Sequence, residues 1–225
     1  MPGDRARLHA MALEAIEGMF GGRPSEPPPL EPRPLPFSPH PTDPLAEELA
    51  EHARLARGVP GAEEGGWNSA RRTYLRRAAA HAGKNYRQAE AARLWMRLAE
   101  DAKGVERGGA LLYAAVALDL GEEAEEAGRS YHLALAELRA TGDRLWEATA
   151  LGNLALLLQQ TGKFAEAEQA CRQAMAIFCD IGDRRAWSIA LGNLANQFLD
   201  TGRVAEAEKT FEEAIAIHRD VGDRR

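Results

Sequence analysis

The sequence predicts an all-α chain, a solenoid of helix hairpins behind a disordered proline-rich N-terminal arm, and three observations carry that expectation. Gly142-Asp143-Arg144 followed by Ala150-Leu-Gly-Asn-Leu-Ala155 recurs 40 residues later as Gly182-Asp183-Arg184 followed by Ala190-Leu-Gly-Asn-Leu-Ala195. Within each copy the apolar residues return at helical spacing. Ten of the twelve prolines fall between Pro24 and Pro44. Self-similarity at this period marks an array in which no unit buries its apolar face alone. Four stretches follow: a short amphipathic helix over 1–20, a proline-rich linker over 21–44, a degenerate helical repeat region over 45–101, and tandem repeats over 102–225 that stop at the start of a further unit.

In the first stretch Leu8, Met11, Ala12, Ala15, Met19 and Phe20 form one stripe of a helix with Arg5, Arg7, Glu14 and Glu17 elsewhere. It reads as a frayed terminus or as a tethered helix that docks in a groove. The run from Pro24 to Phe37 folds neither as helix nor as strand and is expected to be a stiff, extended linker. Arg33, Pro36 and Pro39 fit a ligand pattern for SH3-like domains, a cheap match in so proline-rich a segment. Thr42-Asp43-Pro44 starts a helix over Leu45 to Arg57 that ends near Gly58, and Gly58 to Gly66 is a loop. Ser69 to His81 then carries Arg71, Arg72, Arg76 and Arg77 on a helix with Tyr74, Leu75 and Ala78. A solvated helix face is the simpler account of these arginines, contact with an acidic partner the other.

Each repeat reads as two helices. In the last copy Leu191, Leu194, Ala195 and Phe198 stand at i, i+3, i+4 and i+7, and after the Thr201-Gly202 break Ala207, Phe211, Ala214 and Ile215 do the same. Gly142, Gly182 and Gly222 are in phase, each able to close a helix in the left-handed conformation, and the Asp after each can accept the free amides that open the next. Ala115, Ala155 and Ala195, with Ala127, Ala167 and Ala207, mark close helix contacts. Earlier, Ala91, Trp95 and Leu98 suggest a degenerate unit.

Leu154-Ala155, Gly162-Lys-Phe164 and Ala167, Cys171 and Ala174, with Leu194-Ala195, Gly202-Arg-Val204 and Ala207, Phe211 and Ala214, resemble the tetratricopeptide repeat (TPR) family. The 40-residue form with Asn-Leu-Ala is similar to the subtype of kinesin light chains, LGN/Pins-type polarity adaptors and repeat regions of bacterial STAND-type ATPase regulators. The resemblance covers roughly residues 67 to 225. It implies a right-handed solenoid whose first helices line a concave binding groove.

Chemistry is not legible in the chain. His9, His40, His52, His81, His132 and His218 are scattered, with no His-x-x-x-His and no Cys-x-x-Cys, so no metal site is expected. No phosphate-loop motif, no nucleophile context and no paired catalytic carboxylates stand out, so neither an enzyme nor a cofactor is expected. The net charge of −6 is spread as Arg with Glu, giving no basic field for nucleic acid or anionic lipid. Cys171 and Cys179, roughly 12 Å apart along one helix, cannot pair within it and suit a reducing, cytoplasmic setting. No window approaches a membrane span, and Glu14 and Glu17 interrupt what would be a signal-peptide core.

What remains is a surface. On the first helix of the last copy Asn193, Asn196, Gln197 and Asp200 form a stripe opposite the core stripe. One period earlier stand Asn153, Leu156, Leu157 and Gln160, and before them Tyr113, Val116, Ala117 and Leu120. Ala117 and Leu157 are expected to be buried against neighbouring helices. The partner-binding candidates are therefore Tyr113, Val116, Asn153, Leu156, Gln160, Asn193, Asn196, Gln197 and Asp200. Asn153 and Asn193 stand out, because an amide both donates to and accepts from a peptide backbone. The expected function is a protein-protein interaction scaffold that binds a peptide or protein segment of unknown identity. One form of it is self-occupancy, with the helix around Leu8 to Phe20 docked near Tyr113 and Val116. The alternative is the sensor or spacer segment of a STAND-type ATPase system. Phe211 and Ile215 at the uncapped end suggest self-association.

Overall fold

The computed structural model describes residues 2–33, 37–59 and 64–222, which form ten α-helices and, among the described residues, no strand. They are α1 (Pro2–Met19), α2 (Ala46–Leu55), α3 (Glu64–Lys84), α4 (Gln88–Asp101), α5 (Gly104–Leu120), α6 (Ala124–Thr141), α7 (Arg144–Gln160), α8 (Phe164–Asp180), α9 (Arg184–Asp200) and α10 (Val204–Gly222). The all-α helix-hairpin architecture is the one the sequence predicts. Two compact units divide the chain, Met1–Gly121 and Glu122–Arg225. Among the described residues no helix is long and apolar enough to cross a membrane.

In Glu122–Arg225 sequence-adjacent helices pack on one another, and each hairpin is closed by the same local devices. Gly142 and Gly182 take the left-handed backbone (φ 73° and 74°), and Asp143 and Asp183 then accept from the amides of Trp146 and Ala186 at 3.2 and 2.9 Å. At the turn inside each hairpin the amides of Lys163 and Arg203 reach back to the carbonyls of Leu158 and Phe198, at 2.8 and 2.7 Å, across a left-handed glycine. Gly222 differs: it is the last residue of α10 and not left-handed. Asp223 and Arg224 lie outside the described residues.

Leu151, Leu154, Ala155 and Leu158 on α7, and Leu191, Leu194, Ala195 and Phe198 on α9, are all buried, as their phase requires. Ala155 and Ala195 are at most 1% exposed, which lets neighbouring helices approach closely. On α10 the expectation is corrected at two positions: Ile217, not Ile215, is buried with Ala214, and Phe211 is only half-buried. Ile217 and Ala214 close on Leu191, with Met175 and Trp187 beside them.

Met1–Gly121 is assembled differently. α1 packs on α2, α2 on α3, α3 on α4 and α4 on α5. The face that α1 buries is Ala6, Ala10, Leu13 and Glu17, not the Leu8, Met11 and Met19 stripe, which stays exposed. The reason lies in the partner. α2 offers Ala46, Ala50 and Ala53, all fully buried, and a surface of small residues takes a small-residue face at close range. Thr42 and Asp43 open the next segment through a short 3-10 turn, Asp43–Leu45, and a second turn, Ala56–Gly58, ends α2 near the expected place.

Candidate interaction surfaces

On α7, Asn153 and Leu156 are half-buried and Gln160 is exposed; on α9, Asn193 is half-buried and Asn196 and Asp200 are exposed. The two rows belong to helices that touch, and the Gln159 amide donates to the Asp200 carboxylate between them. Among the described residues no hydrogen bond engages the side-chain amides of Asn153 and Asn193, which leaves two donors and one acceptor on each half-buried side chain for a ligand.

Gln197 requires a correction. It is 2% exposed, and neither its side-chain oxygen nor its nitrogen has a hydrogen-bond partner among the described residues. Leu157 and Ala117, in the same register, are likewise buried at 3% and 5%. Repeat position dictates burial here, and the polar identity of Gln197 gave the wrong reading.

Within Met1–Gly121 the described residues between Pro24 and Phe37 form neither helix nor strand, as the sequence predicts, yet the arm is not a detached, disordered linker. Its described residues lie on α3, α4 and α5. The Arg76 guanidinium donates to the carbonyls of Pro27, at 3.3 Å, and Pro28. The Tyr113 hydroxyl donates to the carbonyl of Glu31 at 2.7 Å, and Arg77 donates to that of Ser38 at 2.9 Å. Trp95 stacks on Tyr113, ring centres 4.8 Å apart, and the Phe37 ring lies beneath the Arg77 and Lys84 cations at 5.4 and 5.7 Å. Burial pushes the Tyr113 phenol up to about 12 and lowers the Arg76 guanidinium from its ordinary value. Self-occupancy at Tyr113 is thus supplied by the arm and not by the helix around Leu8 to Phe20, which packs against α2. Val116 is half-buried. Pro36, the centre of the SH3-like pattern, lies outside the described residues.

Both ends of the arm are anchored on buried carboxylates, Glu17 and Asp43. Tyr74 donates to Glu17 at 2.7 Å, and Arg23 pairs with the same carboxylate at 2.6 Å. At the far end Arg77 grips Asp43 with two hydrogen bonds, at 2.6 and 3.1 Å, while the amide of His40 donates to Asp43 at 2.7 Å. Arg71 and Asp101 form an ion pair at 2.9 Å, and Arg72 reaches Glu106 at 3.4 Å. The four arginines of α3 are therefore neither a solvated face nor bait for an acidic partner. Arg76 and Arg77 hold the arm, while Arg71 ties α3 to α4. A signal was present in the sequence: a helix rich in fixed donors shares a chain with a proline run whose carbonyls have no internal partner.

No cluster of residues with metal-ligand character occurs among the described residues. Cys171 is buried and its thiol is pushed up to about 11 by desolvation, while Cys179 is exposed; neither is in a disulfide.

Residues 107–180 and 190–225 match family models described as tetratricopeptide repeat. No curated protein sequence matches the chain. Among solved structures, BtubC (BKLC) from P. vanneervenii is 20% identical with a TM-score of 0.65, over 80% of this chain and 73% of that one. A Rap protein complexed with Competence and Sporulation Factor is 17% identical, TM-score 0.60, over 81% of this chain and 52% of its own length. A kinesin light chain-type protein from Podosopora anserina with nearly identical TPR-like repeats is 15% identical, TM-score 0.58, with 98% of each chain covered. At these identities the likeness is one of fold. Together with the repeated glycine turns, aspartate caps and alanine contacts, the matches identify residues 107–180 and 190–225 as tetratricopeptide repeats.

Proposed function

We propose that the chain is a non-catalytic interaction scaffold and that the outward rows of α7 and α9 bind a peptide or protein segment through its backbone. The observation that carries this reading is the pair Asn153 and Asn193, one repeat apart, with amides engaged by nothing else among the described residues. An amide offers one acceptor and two donors, the complement of a peptide unit, and two of them at the repeat spacing hold an extended ligand without strict choice of its sequence. Leu156 supplies apolar contact between them, and Gln160, Asn196 and Asp200 give a polar rim. The Rap protein of similar fold is complexed with Competence and Sporulation Factor, which supports a partner-binding role for the array.

Affinity capture followed by mass spectrometry tests the proposal, with the intact chain set against a chain in which Asn153 and Asn193 are both changed to Asp. Aspartate keeps the size and removes both donors. A partner retained by the first and lost by the second, then titrated against each, is the expected result. Indistinguishable partner lists would remove α7 and α9 as the binding surface.

A further inference from the structure

Side chains hold the arm at Arg23, Glu26, Phe37 and Asp43, and between these points it is held by its main chain. Among the described residues the carbonyls of Pro27, Pro28, Glu31 and Ser38 accept from side chains of α3 and α5. A polyproline II segment makes no internal hydrogen bonds, so its carbonyls project as unpaired acceptors, and proline pre-sets much of the backbone, which lowers the entropy lost on docking. The complementary surface needs fixed donors beside a flat aromatic floor. Arg76, Arg77 and Tyr113 are those donors, and stacked Trp95 and Tyr113 are the floor.

The middle of the arm lies at the surface: Pro28, Pro29 and Glu31 are exposed, and two clefts open to solvent, of about 320 and about 520 Å³, run between the arm and the helices. The middle of the arm is therefore an occupant of the surface and not part of the core beneath it. Its anchors at Glu17–Arg23 and Asp43–Arg77 lie outside the stretch from Pro27 to Glu31, so that stretch can lift without unfolding the unit.

We infer that the face of α3, α4 and α5 is a reader of polyproline II segments, occupied in cis by the chain's own arm, and that a proline-rich segment of a partner protein takes the arm's place. This surface shares no residue with the rows on α7 and α9 and does not rest on the function proposed for them. A tethered segment competes at an effective concentration of order millimolar, so an outside segment meets a mostly closed surface. Releasing the arm raises apparent affinity by the inverse of the open fraction, about tenfold or more.

The probe is a fluorescently labelled synthetic peptide with the sequence of residues 23–39, followed by anisotropy. Three full-length proteins are compared: the unaltered chain, the chain with Pro27, Pro28 and Pro29 changed to Gly, and that triple variant with Arg76→Ala added. The triple variant is expected to bind the peptide at least tenfold more tightly than the unaltered chain, and Arg76→Ala to abolish the gain. Tyr113→Phe in the triple variant, which removes one hydroxyl and keeps the stacked ring, should weaken binding several-fold with helical circular dichroism unchanged. Equal affinity for the unaltered and triple-variant chains would overturn the inference. Binding that survives Arg76→Ala would do the same, as would equal binding of a peptide of identical composition with its three consecutive prolines dispersed. A triple variant that dimerises in sedimentation without taking up peptide would assign the face to a second copy of the chain and also overturn it.

Discussion

Glu122–Arg225 and Met1–Gly121 are both stacks of helices, but they are stabilised in opposite ways. In the C-terminal unit the devices are local and repeated: a left-handed glycine, an aspartate cap, an alanine contact, then the same again 40 residues on. Its ion pairs, such as Glu168 with Arg172 and Arg203, sit on partly exposed side chains. In the N-terminal unit the decisive contacts join segments far apart in sequence, and they are buried. Asp43 meets Arg77, Glu17 meets Tyr74, and Arg71 meets Asp101. The repeat unit reuses one set of local devices in each copy, whereas the irregular unit adds a few long-range charged clasps to its apolar core.

The largest expected effect breaks one such clasp. The Asp43 and Arg77 side chains are 2% and 14% exposed, so Asp43→Ala strands a nearly buried guanidinium and is expected to cost about 3 kcal/mol. Glu168→Gln removes a carboxylate held below its ordinary range chiefly by its hydrogen bond from Arg172, yet its pairs are partly solvated, and the cost is expected to stay below about 1 kcal/mol. Hydrogen exchange on α3 and on α8 reads the two losses separately. Equal losses would show that the units do not differ in this respect.

A middle-sized effect, of the opposite sign, lies in the C-terminal unit. Gln197 departs from the repeat, since a buried amide without a partner stands where the preceding copy has Leu157. Gln197→Leu restores the repeat and is expected to stabilise by about 2 kcal/mol, the desolvation cost of the stranded polar atoms. Asn193→Leu, at a half-exposed site, should gain nothing comparable. Urea denaturation midpoints decide it: a fall on Gln197→Leu would mean that the amide contributes to the fold.

The same contrast explains what was legible in the sequence. Gly142 with Asp143 and Gly182 with Asp183 declared their turns because a local device leaves a local pattern, and period alone placed Leu154 and Leu194 in the core. Helix phase puts Asn153 and Asn193 one repeat apart at positions that are half-buried. Phase does not say which face of a helix finds a neighbour, and on α1 the Leu8 and Met11 stripe stays exposed while the Ala6 and Ala10 face is buried. The docking of the arm was hidden for a different reason. Arg76 and Tyr113 bind main-chain carbonyls, and a carbonyl looks the same in every residue. At Gln197 register, and not polarity, decides burial.

The smallest effect concerns a single proton and separates burial by the arm from burial by a core. Tyr113 and Cys171 both have raised values, about 12 and about 11, with desolvation as the main cause in each. Arg76 opposes the rise at Tyr113, and Glu31 adds to it. A phenol raised above its ordinary 10 favours the docked state in its neutral form, so its contribution is complete below pH 10 and is lost as pH rises through about 12. The loss has a direct cause: the phenolate no longer donates to the Glu31 carbonyl. The absorbance of tyrosinate, taken as the difference between the unaltered chain and Tyr113→Phe, should therefore rise near pH 12. With Pro27, Pro28 and Pro29 changed to Gly, the same difference should move toward 10, because the cover over Tyr113 is the arm. The Cys171 thiol lies on α8, where its Sγ donates to the Ala190 carbonyl at 3.3 Å, and its titration should not move, because its cover is the helix packing of its own unit. A Tyr113 transition that stays near pH 12 after the substitutions would place its burial in the packing of α3, α4 and α5, and the arm would then be a bystander on that face.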